Sequence, residues 1–148
     1  MDGFELDRFV SAQDDRDSYR TALRELRQGR KRSHWMWYVF PQLAGLGHSP
    51  MAQRYAIGSL AEARAYLADP VLGARLIEVS SALLELESGN AEEIFPTIDA
   101  VKLRSSMTLF HRAEPDQPVF PAVLDQYFDG QPDPTTDRLL AGLPGQPG

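Results

Sequence analysis

Residues 69–89 of the chain read DPVLGARLIEVSSALLELESG, and their pattern indicates the fold class. Asp69 before Pro70 is typical of a helix N-cap and first turn, and Gly89 is typical of the residue just beyond a helix. Between them, apolar side chains recur at alternating spacings of four and three, which is the period of one helical face. These positions are Leu72, Leu76, Val79, Leu83 and Leu86. We therefore predict a central core helix over residues 70–88.

Shorter helices are predicted on both sides of this run. Ser49 before Pro50 and Asp133 before Pro134 repeat the signature of a cap followed by proline. Alternation of apolar and polar residues over strand length is missing from the sequence, apart from an ambiguous run at residues 35–40. The predicted fold is all-α, with about seven to nine mostly short helices around one longer central helix.

The length and composition indicate a globular protein with one domain. A chain of 148 residues with 43% hydrophobic and 24% charged residues is typical of one globular domain. We expect a single helical domain over residues 1–141 and a flexible tail of glycine and proline over 142–148. The sequence has no cysteine, which excludes Cys-ligated zinc, iron–sulfur clusters, thiol catalysis and disulfides.

The spacing of the histidines and the hydropathy pattern exclude further classes of function. His34, His48 and His111 have no metal-ligand spacing, so neither a metal centre nor a cofactor is predicted. No stretch approaches eighteen apolar residues and the N-terminal residues are acidic, so we expect no membrane partner and no secretory signal. The expected location is the cytoplasm.

Positive charge is concentrated in residues 16–34, although the net charge of the chain is −6. Arg16, Arg20, Arg24 and Arg27 are spaced to lie on one helical face. They form either a solvated surface or a surface that attracts phosphate or an acidic protein partner. We predict that Arg16, Arg20 and Arg24 are exposed and lie outside any pocket. The negative net charge of the whole chain disfavours sequence-independent DNA binding.

Residues 29–42 read GRKRSHWMWYVFPQ and combine basic, aromatic and polar side chains. In a ligand site, Arg30 and Lys31 would bind phosphate and either Trp35 or Trp37 would stack on a ring. Taken alone, the aromatic residues favour a core-facing helical turn. Polar groups within such a block are harder to explain by packing alone, because burial without partners is costly. These groups are Lys31, His34 and Gln42.

A second candidate cluster lies in residues 99–108. Lys102 shares a helical face with the hydroxyls of Ser105 and Ser106, and Asp99 stands three residues before it. Lys102 and Asp99 are the candidate catalytic pair, and further ligand-binding candidates complete the cluster. These are Arg104, Ser105, Ser106 and Thr108. The alternative is a structural Asp99–Lys102 ion pair within a buried polar network.

Four segments together resemble a known bacterial family, the domain of unknown function 1810, whose members are often labelled calpastatin. The segments are residues 29–42, GLGHS at 45–49, LADPVLGARL at 67–76 and DAVKLRSSMTLF at 99–110. The resemblance covers about residues 4–140 and implies a mostly helical fold. A distant similarity in the order of parts, without matching motifs, links the chain to the NADAR (NAD and ADP-ribose) superfamily, which implies N-glycosidic bond cleavage.

Three functions are consistent with these patterns. The first is binding of a phosphate-containing small molecule, of nucleotide or ADP-ribose type, or processing of its N-glycosidic bond. That site would lie between residues 31–42 and residues 99–108, and we expect Lys102 to be largely buried there and held by Asp99. The second is a protein-interaction module without catalysis, which meets an acidic partner through its arginine-rich face. The third is a structural or regulatory protein without a ligand.

Overall fold

The computed structural model describes residues 3–143, and this part of the chain is all-α, as predicted. Three-residue 3-10 turns at Asp15–Asp17 and Ala91–Glu93 join some of the helices. Within the described residues an isolated bridge pairs Leu43 with Ile57. The helices are α1 (Asp7–Asp14), α2 (Ser18–Arg27), α3 (Met36–Val39), α4 (Pro50–Arg54), α5 (Leu60–Ala68), α6 (Leu72–Leu84), α7 (Thr97–Ala113), α8 (Val119–Phe128) and α9 (Pro134–Ala141).

The predicted central helix is α6, but it is shorter than residues 70–88. Leu72, Leu76, Val79 and Leu83 are buried, and Leu86 is half-buried beyond the end of the helix. The Asp69 carboxylate accepts the backbone N–H of Val71 and Leu72, so the cap turn takes up the first predicted residues. At the other end, Gln126 and Tyr127 of α8 both donate to the Leu83 carbonyl, next to the last residue of the helix. These side chains replace the next helical turn.

The longest helix is α7, with 17 residues, and not α6. It packs against α5, α8 and α9, while α6 packs against α2, α5 and α8. The two helices therefore share neighbours on both sides of the core. The sequence pattern understates α7, because polar side chains interrupt its apolar face.

A close crossing joins α5 to α6 at Gly73. A Cβ added there would lie 2.1 Å from the Leu67 carbonyl oxygen, which is closer than any real contact. Only glycine fits without moving the backbone of one helix.

The loop after α2 brings the basic segment next to the start of α7. Gly29 has a φ of 81°, and its N–H donates to the Leu26 carbonyl, so α2 ends there and the chain reverses. Two residues later the N–H of Lys31 donates to the Ile94 carbonyl at 2.8 Å. This backbone bond fixes Lys31 beside the segment that leads into α7.

No helix among residues 3–143 is long and apolar enough to cross a membrane. Residues 1–2, and residues 144–148 of the predicted tail, lie outside the described part of the chain.

Candidate functional site

Two ammonium groups meet at one carboxylate beside the N-terminus of α7. The Nζ of Lys31 lies 3.0 Å from Asp99 Oδ2, and the Nζ of Lys102 lies 3.3 Å from Asp99 Oδ1. The side chains of Lys31, Asp99 and Lys102 are 6%, 10% and 17% exposed. These three residues, here called the lysine cluster, carry two positive charges and one negative charge. Lys31 and Lys102 are the two lysines of the whole sequence.

Local structure explains how the lysine cluster forms. Asp99 is the third residue of α7, where a carboxylate is favoured by the positive end of the helix dipole. Lys102 follows one turn later on the same face, so the pair is an i, i+3 contact. Lys31 arrives from the loop after α2, and its Nζ also donates to the Ser33 carbonyl.

Each lysine of the cluster lies over a tryptophan ring. The Nζ of Lys31 is 5.1 Å from the centroid of Trp35, and the Nζ of Lys102 is 5.0 Å from that of Trp37. Trp35 is only 1% exposed and packs against Phe40 and Phe95, so it belongs to the core. Trp37 is half-buried and is the tryptophan that keeps an accessible surface for a ligand.

Glu25 organises this segment, and the sequence analysis did not single it out. Its carboxylate accepts hydrogen bonds from the N–H groups of Arg32 and Ser33, the Ser33 hydroxyl and the Trp35 indole. Burial by itself would raise the pKa of Glu25, but these hydrogen bonds outweigh it and hold the pKa below the ordinary value of 4.5. The available signal was an acidic residue on the apolar face of α2, next to Leu26.

Glu25→Gln is expected to destabilise the protein by about 1–3 kcal/mol at neutral pH, because it replaces the charged acceptor of these bonds. Since the pKa of Glu25 is lower in the folded state, its contribution is complete above pH 4.5 and is lost as the pH falls through the folded-state value. Urea unfolding between pH 3 and pH 7 measures this. The variant should show a flatter pH dependence than the wild type, and identical profiles would contradict the assignment.

A second polar network joins α7 to the N-terminus of α9. Gln42 Nε2 donates to the Ser105 hydroxyl at 3.1 Å, and that hydroxyl donates to Asp133 Oδ2 at 3.4 Å. The Asp133 N–H donates to the Thr108 hydroxyl at 2.8 Å, and the Arg104 guanidinium donates to the carbonyls of Gln131 and Pro132. These predicted ligand-binding groups have partners within the protein, which favours the polar-network interpretation for them.

Two buried polar atoms among the described residues have no hydrogen-bond partner, Ser106 Oγ and His111 Nδ1. Ser106 is fully buried within α7. Burial, together with the charge of Arg112, lowers the pKa of His111, so the neutral imidazole is favoured.

The remaining predicted residues lie on the surface. Arg30 and His34 are exposed, and His34 lines a cleft of about 410 Å³ together with Arg16. Arg16 and Arg20 are exposed as predicted, but the expectation that they lie outside any pocket is wrong, because Arg20 lines a neighbouring cleft. Arg16 precedes α2 and has a left-handed backbone with a φ of 52°, so it does not continue the helical row of arginines.

Comparison with known proteins identifies the same family that the sequence segments resemble. Residues 3–140 match the model of DUF1810, described as a protein of unknown function. The chain belongs to this family. The DUF1810 chain is 51% identical to the conserved hypothetical protein Rv1873 from Mycobacterium tuberculosis, whose crystal structure it matches with a TM-score of 0.92. That match covers 96% of this chain and 100% of the other. No curated protein matches the DUF1810 chain.

Proposed function

We propose that this protein binds a small molecule that carries phosphate, of nucleotide or ADP-ribose type, at the lysine cluster. The observation that carries the proposal is the convergence of both lysines of the chain on the single carboxylate of Asp99. A scaffold ion pair needs one cation for each carboxylate. A second cation held at low exposure leaves one positive charge without a matching acid in the cluster, and a phosphate would supply the missing negative charge.

The surroundings of Lys102 suit a ligand with both a charged part and a ring. Ile98 and Val101 lie in the same part of α7 and are 68% and 58% exposed, although both side chains are apolar. Trp37 contributes an aromatic surface beneath Lys102. A nucleotide presents phosphate to the ammonium groups and a base or ribose to these apolar surfaces.

The same residues contain the groups that hydrolysis of an N-glycosidic bond requires. Asp99 would stabilise positive charge at the anomeric carbon and accept a proton from the attacking water, and Lys102 would donate a proton to the departing nitrogen. The carbon–nitrogen bond breaks, the carbon–oxygen bond to water forms, and the proton passes from Asp99 back to Lys102. The products are a free sugar hydroxyl and a neutral base whose nitrogen carries the proton from Lys102, so atoms and charge balance.

A thermal-shift titration with ADP-ribose, NAD and AMP tests the binding. A ligand at one hundred times its Kd should add about 2.7 kcal/mol to the stability of the wild type. Lys102→Met keeps most of the side-chain volume and removes the charge, so the fold should survive. The apparent affinity derived from the thermal shifts should fall at least tenfold.

The matched control is Arg138→Met, which removes one positive charge from an exposed position on α9. It should keep the full thermal shift. Equal shifts in Lys102→Met and the wild type, or no shift with any of the three ligands, would reject the proposal.

A separate observation favours the second candidate function, a docking face for an acidic partner. Arg20, Arg24 and Arg27 are all exposed on α2. If this function is the correct one, substitution of the three by glutamine should abolish retention of an acidic peptide such as polyglutamate. Lys102→Met would then bind the peptide like the wild type.

A further inference from the structure

A second cleft, lined in part by Trp35, is built from residues outside the lysine cluster. It lies between the link from α1 to α2, the first turn of α2 and residues 33–38, and its volume is about 410 Å³. That volume falls within the range of small-molecule sites. Besides the Asp15 carboxylate, its polar lining consists of Arg16, Ser18, Thr21, Ser33, His34 and Tyr38.

Two basic side chains of this cleft are free of protein partners. Arg16 and His34 are exposed, and neither side chain makes a hydrogen bond or ion pair with any residue in the described range 3–143. The neighbouring cleft holds one such basic group among the described residues, Arg20, because its other arginine, Arg75, pairs with Asp14 at 2.9 Å. Tyr19 of that cleft donates to Glu78.

Hydroxyl groups form the rest of the polar lining. The Ser18 hydroxyl and the Tyr38 phenol lie 2.6 Å apart, and the Tyr38 phenol also contacts the His34 carbonyl. One hydroxyl of this pair donates to the other, which leaves a proton or a lone pair for a bound molecule. Thr21 stands one turn after Ser18 on α2, so its hydroxyl lies on the same side.

The walls of the cleft are held in place from behind. The Ser33 hydroxyl is bound to Glu25 at 2.6 Å, and Gln13 donates to the Tyr38 carbonyl at 2.8 Å. These bonds hold the side of the cleft formed by residues 33–38 in place, as is expected of a preformed site.

We propose that this cleft binds a sugar phosphate. Arg16 and His34 bind the phosphate, because guanidinium and imidazole are the basic groups that face the cleft without partners. Ser18, Thr21 and Tyr38 bind the sugar hydroxyls, and the Asp15 carboxylate in the lining accepts from one of them. The lining residues do not include Lys31, Asp99 or Lys102, so the assignment does not rest on the proposed function.

The three histidines of the chain provide a direct readout. In the proton–carbon NMR spectrum of the imidazole Cε1 groups at fixed pH, titration with ribose 5-phosphate should shift the His34 signal with saturation. His48 is exposed elsewhere, in the loop before α4, and its signal should stay in place. Movement of both signals in parallel, or no movement of His34, would overturn the site.

Variants separate the two parts of the ligand. Arg16→Gln should weaken binding of ribose 5-phosphate at least tenfold, whereas Arg138→Gln, which removes a charge outside the cleft, should leave the Kd unchanged. Tyr38→Phe should weaken ribose 5-phosphate severalfold and leave inorganic phosphate unaffected. Equal affinities of the wild type for ribose 5-phosphate and inorganic phosphate would contradict the sugar contacts.

The test also distinguishes this cleft from the lysine cluster. Lys102→Met should leave the His34 titration as in the wild type, whatever its effect on ADP-ribose binding. A His34 response that disappears in Lys102→Met would show that there is one site and not two.

Discussion

Replacement of Asp99 by asparagine is expected to lower the free energy of unfolding by about 3–5 kcal/mol, the cost of leaving a buried ionic partner uncompensated. The substitution keeps the shape of the side chain and removes its charge. Lys31 and Lys102 would then face one another at low exposure, with no carboxylate between them. Urea denaturation monitored by tryptophan fluorescence measures the loss.

Two further variants show whether the loss comes from the lysine cluster. Asp116→Asn makes the same chemical change at an exposed position and should alter stability by less than about 0.5 kcal/mol. Lys31→Met combined with Asp99→Asn removes one cation and should recover part of the stability. If Asp99→Asn behaves like Asp116→Asn, the cluster does not hold the loop against α7.

Leu83→Ala is the second variant with a large expected effect, a loss of about 2–5 kcal/mol. Leu83 is fully buried in α6, and the rest of the core cannot collapse into the space that its side chain leaves. Leu86→Ala is the natural comparison, because this leucine is half-buried and lies beyond the last helical turn. Its loss in a urea titration should be clearly smaller. Equal losses would show that the predicted apolar face does not set the core.

The apolar face of α6 was predictable because its signal is local. Leucine and valine at alternating spacings of four and three identify a buried helical face without knowledge of its neighbours. The length of α7 was not predictable in the same way. Ser105 and Ser106 lie where apolar residues would be expected, and Ser105 finds its partners in Gln42 and Asp133, far away in sequence.

In the candidate site, too, the contacts between residues close in sequence were more predictable than the others. The contact between Asp99 and Lys102 follows from helical spacing, and the arrival of Lys31 at the same carboxylate agrees with the expected meeting of residues 31–42 with residues 99–108. The partners of Glu25 and the backbone turn at Arg16 could not be derived from the sequence, although an acidic residue on the apolar face of α2 was a signal for the first. Glu25 is buried by hydrogen bonds to a loop that follows its own helix, and Arg16 leaves the helical row through a left-handed turn.

The most direct measurement uses the fact that the chain has two lysines and both belong to the cluster. The proton–nitrogen NMR spectrum of the lysine ammonium groups therefore contains two side-chain signals, one from Lys31 and one from Lys102. Titration with ADP-ribose should shift both signals with the same saturation curve, while ribose alone, which has no phosphate, should not. ADP-ribose binding that leaves both ammonium signals in place, or a failure of ADP-ribose to bind, would contradict the proposed function.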